Sequence, residues 1–562
     1  MTTPTPPPTV LTRSVRYQPD CGRLLEHLAA AGLLATTTEP ATGRRRPVDT
    51  VLLESVDTTT KVSRTTIAVL EASTRLTCEG EQVLVEALPQ ARADGEAALA
   101  RLRTALGEHV TAETDGHLTL TIPTADAART EERERLTARS TVEPLRVLAG
   151  VEVDHPHLPL EAGVVAFDYL ATFETLPTVA MGANTCPDYL FYDARVILVI
   201  DHPTREASLV GASVDGEDLA ARMEALARAI NATETTDAAG AAALVDGVTA
   251  PGEDQRPGAT APARRPLVHA VPTQSDDDFA ATAARLKESI SAGEVYQVVP
   301  SRGFTMPCPD ALAAYHALRL TNPSPYMFYV AAPGFELLGA SPESALLHSA
   351  RTGEVSIRPI AGTRPRGLAP DGSVDHELDT RLELELRTDA KEVAEHVMLV
   401  DLARNDVARV SVPGTRRVQD LLRVDRYSRV MHLVSEVSGT LAPGLDALDA
   451  LRASMTMGTL TGAPKLRAAE LIRQVEGVRR GSYGGSVGYL RGDGELDTCI
   501  VIRSAFVAAG RALVQAGAGV VAASVPEAEA AETVHKAAAV LQAVAAAQGA
   551  DLVIATRTPE EA

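Results

Sequence analysis

The chain has 562 residues, 45% apolar and 23% charged, which are the proportions of a soluble globular protein too long for one ordinary core. A formal net charge of −21 excludes a surface built to grip nucleic acid or anionic lipid, yet leaves room for a small anion held by a few local cations. Five scattered cysteines (Cys21, Cys78, Cys186, Cys308 and Cys499) without C-x-x-C spacing argue against a disulfide framework or zinc site and for a reducing cytoplasm.

Met1 to Pro8 is polar and Pro-rich, unlike a signal peptide, and no apolar run reaches the length of a membrane span. Residues 1–15 are expected to be disordered. Residues 16–230 read as one folded region of short β-rich runs, among them Val51-Leu52-Leu53, 163–167 and 196–200, with a helix over 95–106. Residues 231–268, rich in Ala, Thr, Gly and Pro, read as a linker or surface insertion that cannot bury much surface. Residues 269–550 form a second region. Its pattern predicts helices over 277–292, 383–410, 464–474 and 527–548, and strands over 295–299, 327–331, 355–360, 484–489 and 498–507. Without regular β-α-β spacing or a G-x-G-x-x-G loop, the fold class is α+β, not a doubly wound nucleotide-binding fold.

Two helices present carboxylates three residues apart, Glu392 with Glu395 and Glu529 with Glu532. Such pairs suit a hard cation such as Mg²⁺, which takes one or two protein carboxylates and leaves other positions to water and substrate. The same spacing describes a solvated helix face, which spacing alone favours. Arg503 follows an apolar strand, Gly517-Ala518-Gly519 can aim amides at an anion, and Lys536 lies one turn after Glu532. Each also reads singly as an ordinary strand end, turn or surface lysine. Glu343, in a turn after an apolar strand, fits either a buried general acid or a helix cap. His432, in Val430-Met431-His432-Leu433-Val434, fits a core histidine better than a catalyst. Chemistry thus reaches a metal-assisted enzyme acting on a small anion, without naming the reaction.

Longer runs go further. They are Gln297-Val298-Val299-Pro300-Ser301-Arg302, Asn322-Pro323-Ser324-Pro325-Tyr326-Met327, Pro359-Ile360-Ala361-Gly362-Thr363-Arg364, His396-Val397-Met398-Leu399-Val400-Asp401, Asp425-Arg426-Tyr427-Ser428, Gly458-Thr459-Leu460-Thr461-Gly462-Ala463-Pro464-Lys465 and Gln515-Ala516-Gly517-Ala518-Gly519. Together they resemble the chorismate-utilising enzyme family, and within it the large subunits of anthranilate synthases. The resemblance implies a large, mostly antiparallel sheet with an N-terminal regulatory region. It implies Glu395 and Glu532 as Mg²⁺ ligands supported by Glu392 and Glu529. Gly362, Thr363, Tyr483, Arg503, Gly517, Ala518, Gly519 and Lys536 would hold chorismate. Glu343 would protonate the departing 4-hydroxyl, and His432 would serve the second step, loss of pyruvate. Gln297 and Ala361 stand where sister enzymes carry lysines that activate water or attack the ring, so ammonia remains as nucleophile. No cysteine sits in a Gly-x-Cys-x-Gly elbow, so a separate glutaminase subunit and a hetero-oligomer are implied. Leu52-Leu53-Glu54-Ser55 resembles the family's tryptophan-binding segment; Glu54 and Ser55 would meet the ammonium group, and Pro325, Tyr326 and Met327 the indole. The alternatives are an enzyme that stops at aminodeoxyisochorismate and a silent tryptophan-sensing subunit.

Overall fold

A computed structural model describes residues 7–57, 63–124, 131–233, 265–369, 373–426 and 430–555. Their strands form a 23-stranded sheet plus two small two-stranded ones. Its pairings are antiparallel, apart from Leu267–Pro272 running parallel to Asp551–Ile554. Helices cover this sheet, so the mixed α+β architecture expected from the sequence holds.

The division into two regions does not extend to the core. Thr50–Val56 pairs with Tyr326–Ala331, and Leu160–Val165 with Ser486–Arg491, so strands from before and after the linker alternate within one sheet. The largest apolar cluster likewise joins Leu24, Leu198 and Met223 to Phe304, Tyr315 and Val540. Backbone hydrogen bonds and buried apolar area cross the expected boundary, and both favour one cooperative unit.

Three local expectations need correction. Within the stretch expected to be disordered, Thr9–Ser14 is a strand paired with Glu206–Ser213; residues 1–6 lie outside the described residues. The helix expected over 383–410 is two helices, His376–Thr388 and Ala390–Val410. Asp389 divides them: its backbone is extended and its carboxylate accepts the Lys391 and Glu392 amides, an N-cap of the kind that stabilises a helix start by ~1 kcal/mol. The strand expected over 498–507 breaks into Leu496–Ile500 and Ser504–Ala508 around Arg503, whose φ of 50° lies in the left-handed region. The linker reading falls mostly on 234–264, outside the described residues, as do Tyr427 and Ser428. Its edges are ordered, by the helix Gly216–Ala232 and the strand Leu267–Pro272.

Candidate active site

The helices Ala390–Val410 and Pro526–Ala547 bring four glutamates to one region. Burial pushes the carboxyl of Glu395 up, and the neighbouring charges of Glu392, Glu529 and Glu532 push the same way, opposed by Lys391. Lys391 Nζ stands 3.7 Å from Glu395, and Lys536 Nζ 2.7 Å from Glu532. Burial also raises the Glu529 carboxyl, against a hydrogen bond from Ser524. Glu392 is engaged otherwise: it accepts from Arg364 at 3.0 Å, which places it behind Glu395. Among the described residues, no three carboxylate, imidazole or thiol groups stand close enough together to hold a metal ion as they are. The donor set fits a hard cation nonetheless, since all its ligands are carboxylate oxygens and ammonium groups occupy their neighbourhood.

Beside this acidic cluster lies an unmatched cation. Among the described residues the Arg503 guanidinium makes no hydrogen bond or ion pair; burial depresses its pKa, and Tyr483 and Glu532 pull it back. A half-buried guanidinium without an ion-pair partner is costly, so the site is organised for an anion from outside. Tyr483 is buried, and burial raises its pKa to about 12, opposed by Arg480 and by the neighbouring Gly517 amide. Lys536 donates to the Gly517 carbonyl at 2.9 Å, tying the last helix to the strand Arg511–Gly517. The expectation that three successive amides face an anion needs revision at Ala518, whose N–H donates to Pro300 at 3.1 Å. Gly519 keeps the role of close approach: a Cβ there would stand 2.6 Å from Gln297 Nε2. Gln297 itself is buried with its Oε1 unpartnered among the described residues.

Glu343 holds its proton and His432 lacks a second one, so one can give a proton and the other can take one. Glu343 is 6% exposed, and burial raises its pKa to about 8 despite help to the charged form from Thr459, the Ile360 amide and Lys536. It is therefore neutral at pH 7 and able to donate a proton. His432 lies opposite Thr363 in the pairing of Ile360–Pro365 with Val430–Thr440. Burial, with Arg503 nearby, lowers its pKa to about 4. Its Nδ1 lies 3.2 Å from the Gly362 carbonyl and 2.9 Å from Thr363 Oγ1. The carbonyl can only accept, so Nδ1 carries the proton and Nε2 is the basic nitrogen. Gly362 adopts φ 77°, and a Cβ there would lie 3.2 Å from Glu392 Oε2, so the bend suits glycine. The resemblance implies that His432→Met would still aminate the substrate but release the aminated, non-aromatic intermediate in place of anthranilate. Mass spectrometry of the products checks this, and unchanged anthranilate output would return His432 to a core role.

The segment Leu52-Leu53-Glu54-Ser55, which the resemblance links to tryptophan, borders a separate cavity. Ser55 lies opposite Tyr326 and Glu54 opposite Met327. A cavity of about 180 Å³ is lined by Ser55, Tyr326, Phe328, Tyr489, Asp497 and Cys499, among others. Glu54 does not offer its carboxylate there. Its oxygens are taken by Tyr315, by Arg319 at 3.0 Å and by Thr66 at 3.3 Å, among the residues packed on the other face of the strand. The carboxylate inside the cavity is Asp497, which sequence reading missed. Its Oδ1 is buried without a partner, and burial raises its pKa to about 6 against a hydrogen bond from Tyr326.

Residues 100–542 match the family model described as chorismate binding enzyme. The chain is 47% identical over 509 residues to a Vibrio parahaemolyticus protein named anthranilate synthase component 1, covering 89% of this chain and 88% of that one. A pyocyanine-specific anthranilate synthase component 1 from Pseudomonas aeruginosa is 46% identical, with coverage of 89% and 90%. Among solved structures, anthranilate synthase component I from Streptococcus pneumoniae aligns at TM-score 0.62 and 27% identity, over 85% of this chain and 92% of that one.

Proposed function

We infer that this chain, which belongs to the chorismate-binding enzyme family, converts chorismate and ammonia into anthranilate and pyruvate as the chorismate-using component of an anthranilate synthase. The observation that carries this reading is the triad of Arg503, Glu343 and His432: an unmatched, half-buried cation, an acid held neutral and a base held neutral. An anionic substrate supplies the missing charge for Arg503, oriented by Tyr483 and by the bend at Gly362-Thr363. Glu343 gives its proton to the 4-hydroxyl, which leaves as water. Ammonia bonds to C2, since the amide of Gln297 cannot activate water and the methyl of Ala361 cannot attack the ring. His432 Nε2 then takes the C2 proton as the ring C–O bond to the enolpyruvyl group breaks and the ring becomes aromatic; that proton passes to the departing group, which leaves as pyruvate. Glu395 and Glu532, supported by Glu529 and Glu392, would hold Mg²⁺, which when bound supplies Lewis-acid stabilisation of the substrate's ring carboxylate. The relatives' shared name, component 1, supports a glutaminase partner as the ammonia source. No described helix is long and apolar enough to cross a membrane. A cytoplasmic setting suits the chemistry and the buried free cysteines.

The test is turnover by the purified single chain. With Mg²⁺, chorismate and ammonium at alkaline pH, where NH₃ is populated, anthranilate should form; with glutamine in place of ammonium it should not. Anthranilate from glutamine would refute the missing-partner argument.

Feedback inhibition by tryptophan belongs to the same proposal. The cavity of about 180 Å³ offers aromatic walls for an indole and one uncompensated carboxylate, Asp497, for its ammonium group. By linkage, tryptophan and chorismate must weaken each other's binding equally. Asp497→Asn should raise the inhibitory concentration of tryptophan at least ~10-fold, about 1.4 kcal/mol, with uninhibited activity unchanged. Inhibition of the wild type should weaken as pH falls through about 6, because protonation removes the charge that the ammonium needs. Ser55→Phe should fill the cavity and leave an active, insensitive enzyme. Inhibition curves across pH check all three, and full inhibition of both variants would place the effector elsewhere.

A further inference from the structure

Glu343 closes one side of a second, smaller cavity. It lies between the strand Ser344–Ser349, the helix Ala390–Val410 and the short helix Gly458–Thr461, with a volume of about 20 Å³, enough for one water. Leu399, Leu402, Met457 and Ile500 make most of its wall apolar. Two hydroxyls interrupt that wall. Ser344 is 4% exposed, and its Oγ is buried without a hydrogen-bond partner among the described residues; Thr459 Oγ1 is likewise buried, near Glu343 but without a bond of good geometry. Asp406 completes the lining, with Lys465 Nζ 2.8 Å from each of its oxygens. Two unsatisfied hydroxyls facing one water-sized space are costly unless that space is filled by something that hydrogen-bonds both.

We propose that this cavity seats one water bound to Ser344 and Thr459, and that these two positioning residues return a proton to Glu343 through it after each turnover. The inference rests on Glu343 being the acid of the proposed reaction. In that step the C4–O bond breaks, the hydroxyl takes the Glu343 proton and leaves as water, and a C–N bond forms at C2. The ammonium produced at C2 sheds one proton, which equals the proton Glu343 has lost, so no outside reagent is needed. The cavity gives the Glu343 carboxyl a route for a proton that does not pass through the substrate. The groups facing it are Thr459, the Ile360 amide and Lys536, and across the cavity the Asp406–Lys465 pair.

The test uses the full chain in the ammonium reaction, with kcat and KM followed from about pH 6 to 10. Thr459→Val should lower kcat at least ~10-fold with KM for chorismate nearly unchanged, because proton delivery typically contributes 10²–10⁴-fold. Its alkaline limb should move to higher pH, because the hydroxyl favours the ionised carboxyl. Thr459→Ser should restore both properties, and Ser344→Ala should lower kcat in the same way to a smaller extent. Thermal melting and chorismate affinity separate these effects from misfolding. A Thr459→Val enzyme with unaltered kcat, or with a loss that leaves the limb in place and is not rescued by serine, overturns the proposal. Full activity of Glu343→Gln would instead refute the reading of Glu343 as the acid, a failure distinct from that of the cavity route.

Discussion

Replacing Glu395 or Glu532 by glutamine should lower kcat/KM at least ~10³-fold, about 4 kcal/mol, the scale of charge stabilisation that a bound cation supplies. The fold should hold. Glu395 is destabilised as an ion by its own burial and by Glu392, Glu529 and Glu532, so neutralising it relieves repulsion and removes no packing. Its thermal midpoint should match or slightly exceed that of the wild type. Glu532→Gln releases Lys536 from its 2.7 Å contact, but the lysine keeps the Gly517 carbonyl. Mn²⁺ binding, read by electron paramagnetic resonance as a stand-in for Mg²⁺, should weaken in both variants. Wild-type turnover and Mn²⁺ affinity in either variant would remove these residues from the metal site. Glu392→Gln is the internal contrast. That residue already spends an oxygen on Arg364, so the loss should be smaller and should come with disturbed packing of the strand Ile360–Pro365.

Helix periodicity made each glutamate pair legible as sharing one face, but spacing alone favoured a solvated face, and only the family resemblance joined the two pairs into one cluster. The long helices and buried strands were legible from periodicity too. What sequence hid was long-range or conformational. The strand Thr9–Ser14 exists only because a distant edge, Glu206–Ser213, is there to pair with it. Asp389 looks like any polar residue inside an amphipathic pattern until its carboxylate is seen closing a helix start. The left-handed backbone at Arg503 leaves no mark in a sequence read by hydrophobic period. The amide of Ala518 was spent on Pro300 by a pairing that no local run reveals. The direction of the Glu54 carboxylate is different, since its signal was available. Side chains alternate along a strand, so Glu54 and Ser55 point to opposite faces, and one ligand cannot meet both carboxylate and hydroxyl from a single side. Asp497, which takes its place in the cavity, is far away in sequence and became visible only through the sheet.

Glu343→Gln should cost kcat ~10²–10⁴-fold while KM for chorismate stays within about twofold, the signature of a group that acts in the transition state and not in substrate binding. The amide is the near-isostere of the protonated carboxyl already present at neutral pH, so packing, charge and stability should change little. What it lacks is an acidic proton. The wild-type pH profile gives the same residue an independent test. Burial, the largest influence, raises the Glu343 pKa to about 8, so the acid form prevails below that value and is lost above it. Activity at saturating ammonia should therefore fall as pH rises through about 8, even though the supply of NH₃ increases over the same range. The two trends oppose each other, so kcat must be extrapolated to infinite ammonia at each pH before the limb is read. In Glu343→Gln the residual rate should show no limb near 8, because the titrating group is gone. A limb that persists there in the variant would assign it to another residue. His432 is already neutral over this whole range, with a pKa near 4, and cannot supply it.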